Sequence, residues 1–165
     1  MRRILAVTAL LAASLPLQSA PPKPEIERPA ATPQAVGALH SLRTIPEACM
    51  RFQGRFTGNA AHPYDLEAVR TSERCQPRAR IVDAAEAKPD AAGGWILNDV
   101  IRVPSAACAG QAAELVVWRH PGSVAPPKLD AQGRSRVHLQ GQAPRQAGQL
   151  PRYAIGLRTS GAACR

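Results

Sequence analysis

Beyond residue 48 the chain alternates between apolar and polar positions with a period of two. In residues 49–57, Met50, Phe52 and Phe56 share one parity, while Arg51, Gln53 and Arg55 hold the other. That pattern predicts a strand with one face buried and one in water. Gly58-Asn59 and His62-Pro63 then mark a loop. Residues 64–71 fit a strand with Tyr64, Leu66 and Ala68 inward, or a short helix, because Asp65 to Val69 tolerates either state. In residues 76–83, Pro77, Ala79 and Ile81 alternate with Arg78 and Arg80, which predicts another strand. Residues 84–94 are small and polar, end in Gly93-Gly94, and read as a loop.

The strongest strand signal covers residues 95–103. Trp95, Leu97, Ile101 and Val103 share a parity, and Asn98-Asp99 marks a bulge or a tight turn within the run. Residues 113–120 hold Leu115, Val116, Val117 and Trp118, apolar on both parities, as suits a central strand covered on both sides. Both tryptophans are assigned to the core. After a loop over 121–133, Val137 and Leu139 alternate with Arg136, His138 and Gln140. Tyr153, Ile155 and Leu157 form a last strand. About seven short strands separated by turns predict an all-β fold, a small sandwich or barrel. Paired helical patterns and a repeat of fixed period are both missing, which argues against a βαβ architecture or a solenoid.

The start of the chain follows a different rule. Arg2 and Arg3 precede an apolar run from Ile4 to Leu17, and the small residues Ser19 and Ala20 follow. This is the order of a secretory signal peptide, too short and wrongly flanked for a membrane span. Pro21, Pro22, Pro24, Pro29 and Pro33 then crowd a segment with no apolar period, expected to be extended and mobile. The reading is therefore a signal peptide over 1–20, a flexible proline-rich segment over 21–42, and one β-rich domain over 43–165. The expected location is the periplasm or the medium, with no membrane span in the mature chain.

Export changes the meaning of the cysteines. Cys49, Cys75, Cys108 and Cys164 are an even set in an exported domain, which reads as two structural disulfides. Three connectivities are open, and Cys49–Cys75 with Cys108–Cys164 is the sequentially local one. Neither a C-x-x-C pair nor a zinc-module spacing is present, so redox catalysis and a metal site are not expected. No cofactor is expected either.

Charge adds a functional hint. Lys and Arg total 21 against 12 Asp and Glu, a formal net charge of +9 that falls to +7 when Arg2 and Arg3 leave with the leader. A basic exported protein is drawn to anionic surfaces. Arg51, Arg55, Arg78 and Arg80 lie at outward parities of predicted strands and are the candidate anion-binding residues. If those strands are neighbours, their guanidinium groups form a stripe suited to phosphates or carboxylates. The bland alternative is a solvated face balanced by Glu67, Glu73 and Asp83. Aromatic residues are too scarce to provide base stacking, so specific nucleic-acid binding is not expected.

Catalytic signatures are missing. No serine lies in G-x-S-x-G, and no histidine pair has metal-ligand spacing. The expectation is a non-enzymatic β-domain that binds an anionic envelope component or a periplasmic partner protein. The alternatives are a small secreted hydrolase built on His120, His138 and Asp130, or an inhibitor of another enzyme.

Overall fold

The computed structural model describes residues 21–122 and 150–161. The expected leader, the strand expected around 136–140 and Cys164 lie outside the described residues. Among the described residues, seven strands make two sheets. The first sheet joins β1 (His40–Ile45), β2 (Met50–Phe56) and β3 (Tyr64–Arg70) in the order β1-β2-β3. The second contains β4 (Arg80–Asp83), β5 (Ile96–Pro104), β6 (Ala112–His120) and β7 (Arg152–Ser160) in the order β4-β7-β6-β5. β4 runs parallel to β7, and the other pairings are antiparallel. A single helical turn, α1 (Ala84–Ala87), follows β4, with Asp83 capping it by accepting from the Ala85 N–H.

The two sheets face each other as a sandwich. Ile45, Phe52, Phe56 and Tyr64 from the first meet Ile101, Val103, Leu115, Val117 and Ile155 from the second. The alternation read in 49–57 is borne out; 64–71 is a strand rather than a helix, with Tyr64 buried and Leu66 half-buried as expected but Ala68 exposed near the strand's end. The strand expected over 76–83 is shortened to β4, because Pro77 and the segment around it cannot supply a ladder. The loop expected over 84–94 contains α1, where the alanines favour a turn of helix.

Two bulges reshape the strands. β5 shifts register between Leu97 and Asp99, so residues on either side of the bulge do not share a face. Leu97 lies opposite Trp118, on the face away from the first sheet, whereas Asp99 lies opposite the core residue Val117. The single apolar face expected for Trp95, Leu97, Ile101 and Val103 is therefore split. β1, which the sequence reading left partly in the tail, shifts register between Ser41 and Arg43. That places Arg43 opposite Phe52, on the inner face.

The bulges bring Arg43 and Asp99 together between the sheets. Asp99 is 0% exposed. Arg28 Nε donates to both of its oxygens at 3.0 Å, and Arg43 Nε approaches Oδ2 at 3.1 Å. The Arg43 N–H is not aimed for a hydrogen bond to Asp99, and its Nη1 donates instead to the Thr44 carbonyl. The third member, Arg28, comes from the proline-rich segment.

That segment, expected to be extended and mobile, is extended but laid on the domain as a strap. The N–H groups of Glu25, Ile26, Ala31 and Gln34 donate to the carbonyls of Leu97, Asn98, Arg102 and Pro104 on β5 at 2.8–2.9 Å. Parallel bridges form at Ile26–Asp99 and Gln34–Ser105. Proline lacks a donor and is tolerated at a sheet edge; Pro24 precedes the first donating residue, and Pro29 and Pro33 fall between donors. The chain then turns at Gly37, whose φ of +80° suits glycine, and enters β1 at His40, before the boundary expected near Leu42.

A second clasp fastens the start of this strap. Arg119 Nη2 donates to Glu25 Oε1 at 2.6 Å, and Asn98 Nδ2 donates to Oε2 at 2.9 Å. The hydrogen bond from Arg119 holds the Glu25 carboxyl below the usual carboxylate range, with Asn98 adding to it. A depressed folded-state pKa contributes stability above the unfolded value that disappears as pH falls through the folded one. Glu25→Gln should therefore lower stability by about 1 kcal/mol at neutral pH, a modest figure because the pair is partly in water. Urea denaturation across a pH series should show the gap between wild type and variant closing below about pH 4. A gap that persists in acid would assign the effect to something other than this carboxylate.

The disulfide Cys49–Cys75 matches the local pairing, with Cα atoms 5.8 Å apart. It ties the start of β2 to the segment before β4, and in the chain-entropy model such a loop stabilises the fold by roughly 3 kcal/mol. Cys108 is also disulfide-bonded. Among the described residues no helix is long and apolar enough to cross a membrane.

Candidate functional site

The four arginines read from the sequence do not form one stripe. Arg51 and Arg55 lie on β2, whose neighbours are β1 and β3. Their face is largely neutralised: Arg55 approaches Asp65 at 3.4 Å, and the intervening Gln53 donates to Glu67. Arg78 and Arg80 belong to the other sheet, the first just ahead of β4 and the second opening it. The neighbour of β4 is β7, and the register sets Arg80 beside Arg152. On the far side of β7, Arg152 stands opposite His120 of β6.

Cross-strand partners share a face, so Arg80, Arg152 and His120 form a row across three adjacent strands. The row lies on the outer face of the second sheet, since the inner face carries Tyr153, Ile155 and Val117. Adjacent like charges on a sheet repel, and such a row is stabilised when an anion neutralises it. Among the described residues, Arg80 has no carboxylate at salt-bridge distance.

Trp95 anchors this row. The Arg152 guanidinium carbon lies 5.1 Å from the centroid of its ring, and the His120 ring meets it edge-on at 5.2 Å. Gly94, at φ +78°, a conformation that favours glycine, turns the chain just before Trp95 and lies beside the His120 ring. Trp95 is 7% exposed, so its indole is a fixed platform. Stacking on an aromatic face restrains a guanidinium while leaving its N–H groups available for bidentate contacts.

Beyond this row, along β7, lies a groove of about 670 Å³ lined by both apolar and charged residues. Val116, Trp118 and Gly156 are on its floor, and Ala84, Ala85 and Lys88 form one wall. Arg158 closes the end and lies 4.0 Å from the Glu114 carboxylate. Trp118 is thus half-buried on the groove rather than in the core assigned to it. The groove opens where β4 stops. β4 accompanies β7 only as far as Ile155, while β6 accompanies it to Ser160.

No family model, characterised protein or solved structure matches this chain.

Of the residues of the hydrolase alternative, His120 is engaged with Trp95, and its Nδ1 lies 2.9 Å from the Pro121 carbonyl. His138 and Asp130 lie outside the described residues. Among the described residues no three His, Cys, Asp or Glu side chains converge as a metal-ligand set. The members of the row outside the arginine set read from the sequence are Arg152 and His120, and Trp95 supports both. Arg152 was legible as an arginine near the last strand, but only the parallel pairing of β4 with β7 reveals its neighbour.

Proposed function

We propose that this is an exported, non-enzymatic binding domain whose outer sheet face holds an anionic partner. The observation that carries the reading is the row Arg80–Arg152–His120, crossing three strands and braced by Trp95. Arginine on an aromatic platform suits phosphate or carboxylate groups. The sandwich supplies a rigid base, and the two disulfides expected from the cysteine count suit an oxidising compartment. Arg51 and Arg55 belong to the balanced face of the other sheet and contribute to net charge rather than to the site.

Heparin is a suitable probe, because its binding can be followed against salt. The double variant Arg80→Gln/Arg152→Gln should weaken binding about tenfold or more at low salt. It should also flatten the slope of log affinity against log salt by about two, one for each lost contact. Arg51→Gln/Arg55→Gln removes the same formal charge and should change the slope by less. Equal effects of the two pairs would mean that only overall charge matters, and the row would lose its assignment.

A further inference from the structure

We infer that the free edge of β7 beyond Ile155 is a docking site for an extended acidic segment of a partner polypeptide, added as a strand in the position that β4 vacates. Three observations meet there. First, Gly156 to Ser160 are paired with β6 on one side, while β4 ends at Asp83, opposite Ile155, and among the described residues no strand continues along the other side, where α1 meets β7 near Gly156. A strand edge carries unpaired N–H and C=O groups that another chain can complete. Second, this edge lies along the groove of about 670 Å³. A strand laid there alternates its side chains between the floor at Val116 and Trp118 and the opposite side at Leu66. Third, the charged residues lining the groove are Lys88, Arg158 and Asp83; Asp83 is engaged in capping α1, and Arg158 lies 4.0 Å from Glu114. The two cations outnumber the capped carboxylate and favour acidic residues in the incoming segment.

The backbone decides between partner classes. An acyl chain or a polysaccharide would fill the groove and leave the β7 edge groups unpaired, whereas a peptide strand satisfies them. The protein already uses this kind of contact, since the strap from Glu25 to Gln34 adds to β5 through backbone hydrogen bonds. The acidity of the partner rests on the anion-binding reading above, but the strand addition does not.

The test uses the oxidised domain, a capped hexapeptide of alternating valine and glutamate, and its analogue methylated on alternate backbone nitrogens. The expected result is saturable peptide binding with slowed amide exchange within residues 156–160. The methylated analogue should bind at least tenfold more weakly, because its backbone donors are blocked. Ala85→Trp, an exposed position on the groove wall, should weaken peptide binding tenfold or more and leave heparin binding unchanged. Lys88→Glu/Arg158→Glu should invert the preference toward a valine–lysine peptide.

Equal binding of the peptide and its methylated analogue, or unchanged exchange at 156–160, would overturn the strand proposal. Heparin binding without peptide binding would overturn it too, while leaving the basic row in place. Peptide binding unaffected by Arg80→Gln/Arg152→Gln, with no heparin binding, would support the strand site and overturn the row.

Discussion

Asp99→Ala should cost about 3–5 kcal/mol, the largest loss from any single substitution outside the apolar core. Breaking a buried ion pair from one side leaves the other charge in a poorly solvated place. Here Asp99 is fully buried, and two arginines from different segments converge on it. Arg43, with a side chain only 21% exposed, would be left between the sheets without its counter-ion. Arg28 is 41% exposed and can turn to water, so Arg28→Ala should cost only about 1 kcal/mol. Urea midpoints of the two variants give the comparison. Asp99→Ala should also loosen the strap, because Ile26 bridges to Asp99 itself and Arg28 is clasped by its side chain. Cleavage after Glu25 or Glu27 by a glutamate-specific protease should therefore speed up under native conditions. Equal costs for the two arginine and aspartate variants would mean that the cluster tolerates an unpaired charge and does not fasten the strap.

The same cluster shows how far the sequence could be read. The alternation in 49–57 and the two-sided apolar run in 113–120 survive folding because each residue there stays in register with its neighbours. Arg43 and Asp99 were hidden because each lies at a bulge, where a one-residue shift reverses parity. Asn98-Asp99 signals an irregularity, but nothing local says that Asp99 will turn inward. Arg43 follows Leu42 in a run whose alternation is broken by the bulge, so β1 was merged with the tail. Proline density suggested an extended, mobile segment where the strap lies. The spacing of its donors became meaningful only beside the carbonyls of β5. The candidate site divides in the same way. Arg80 was legible as an outward arginine, whereas its partnership with Arg152 depends on a parallel pairing between distant segments.

Gly54→Ala should destabilise the protein by about 3 kcal/mol, at the upper end of overpacking costs. Gly54 lies in the central strand of the first sheet, opposite His40 on one side and Leu66 on the other. A Cβ there would lie 2.6 Å from Tyr64 Cζ and 2.5 Å from its phenolic oxygen. The ring cannot easily move aside. It packs edge-on against Phe56 at 4.9 Å, and its oxygen is 2.6 Å from His40 Nε2. His40 Nδ1 in turn lies 2.9 Å from the Ala38 carbonyl, so with the proton on Nδ1 the phenol donates to Nε2. Burial pushes the Tyr64 phenol up, which keeps it neutral and available as a donor throughout the physiological range. Glycine weakens a strand interior, and its presence here is explained by the ring that covers it. A double-mutant cycle with Tyr64→Leu checks the assignment. Tyr64→Leu alone loses ring burial and the His40 contact, but adding Gly54→Ala to it should cost little. The coupling should reach about 2 kcal/mol, within the range for residues in direct contact. Additive losses would place the cost of Gly54→Ala in the backbone, and the closeness of the ring to the strand would then have no energetic consequence.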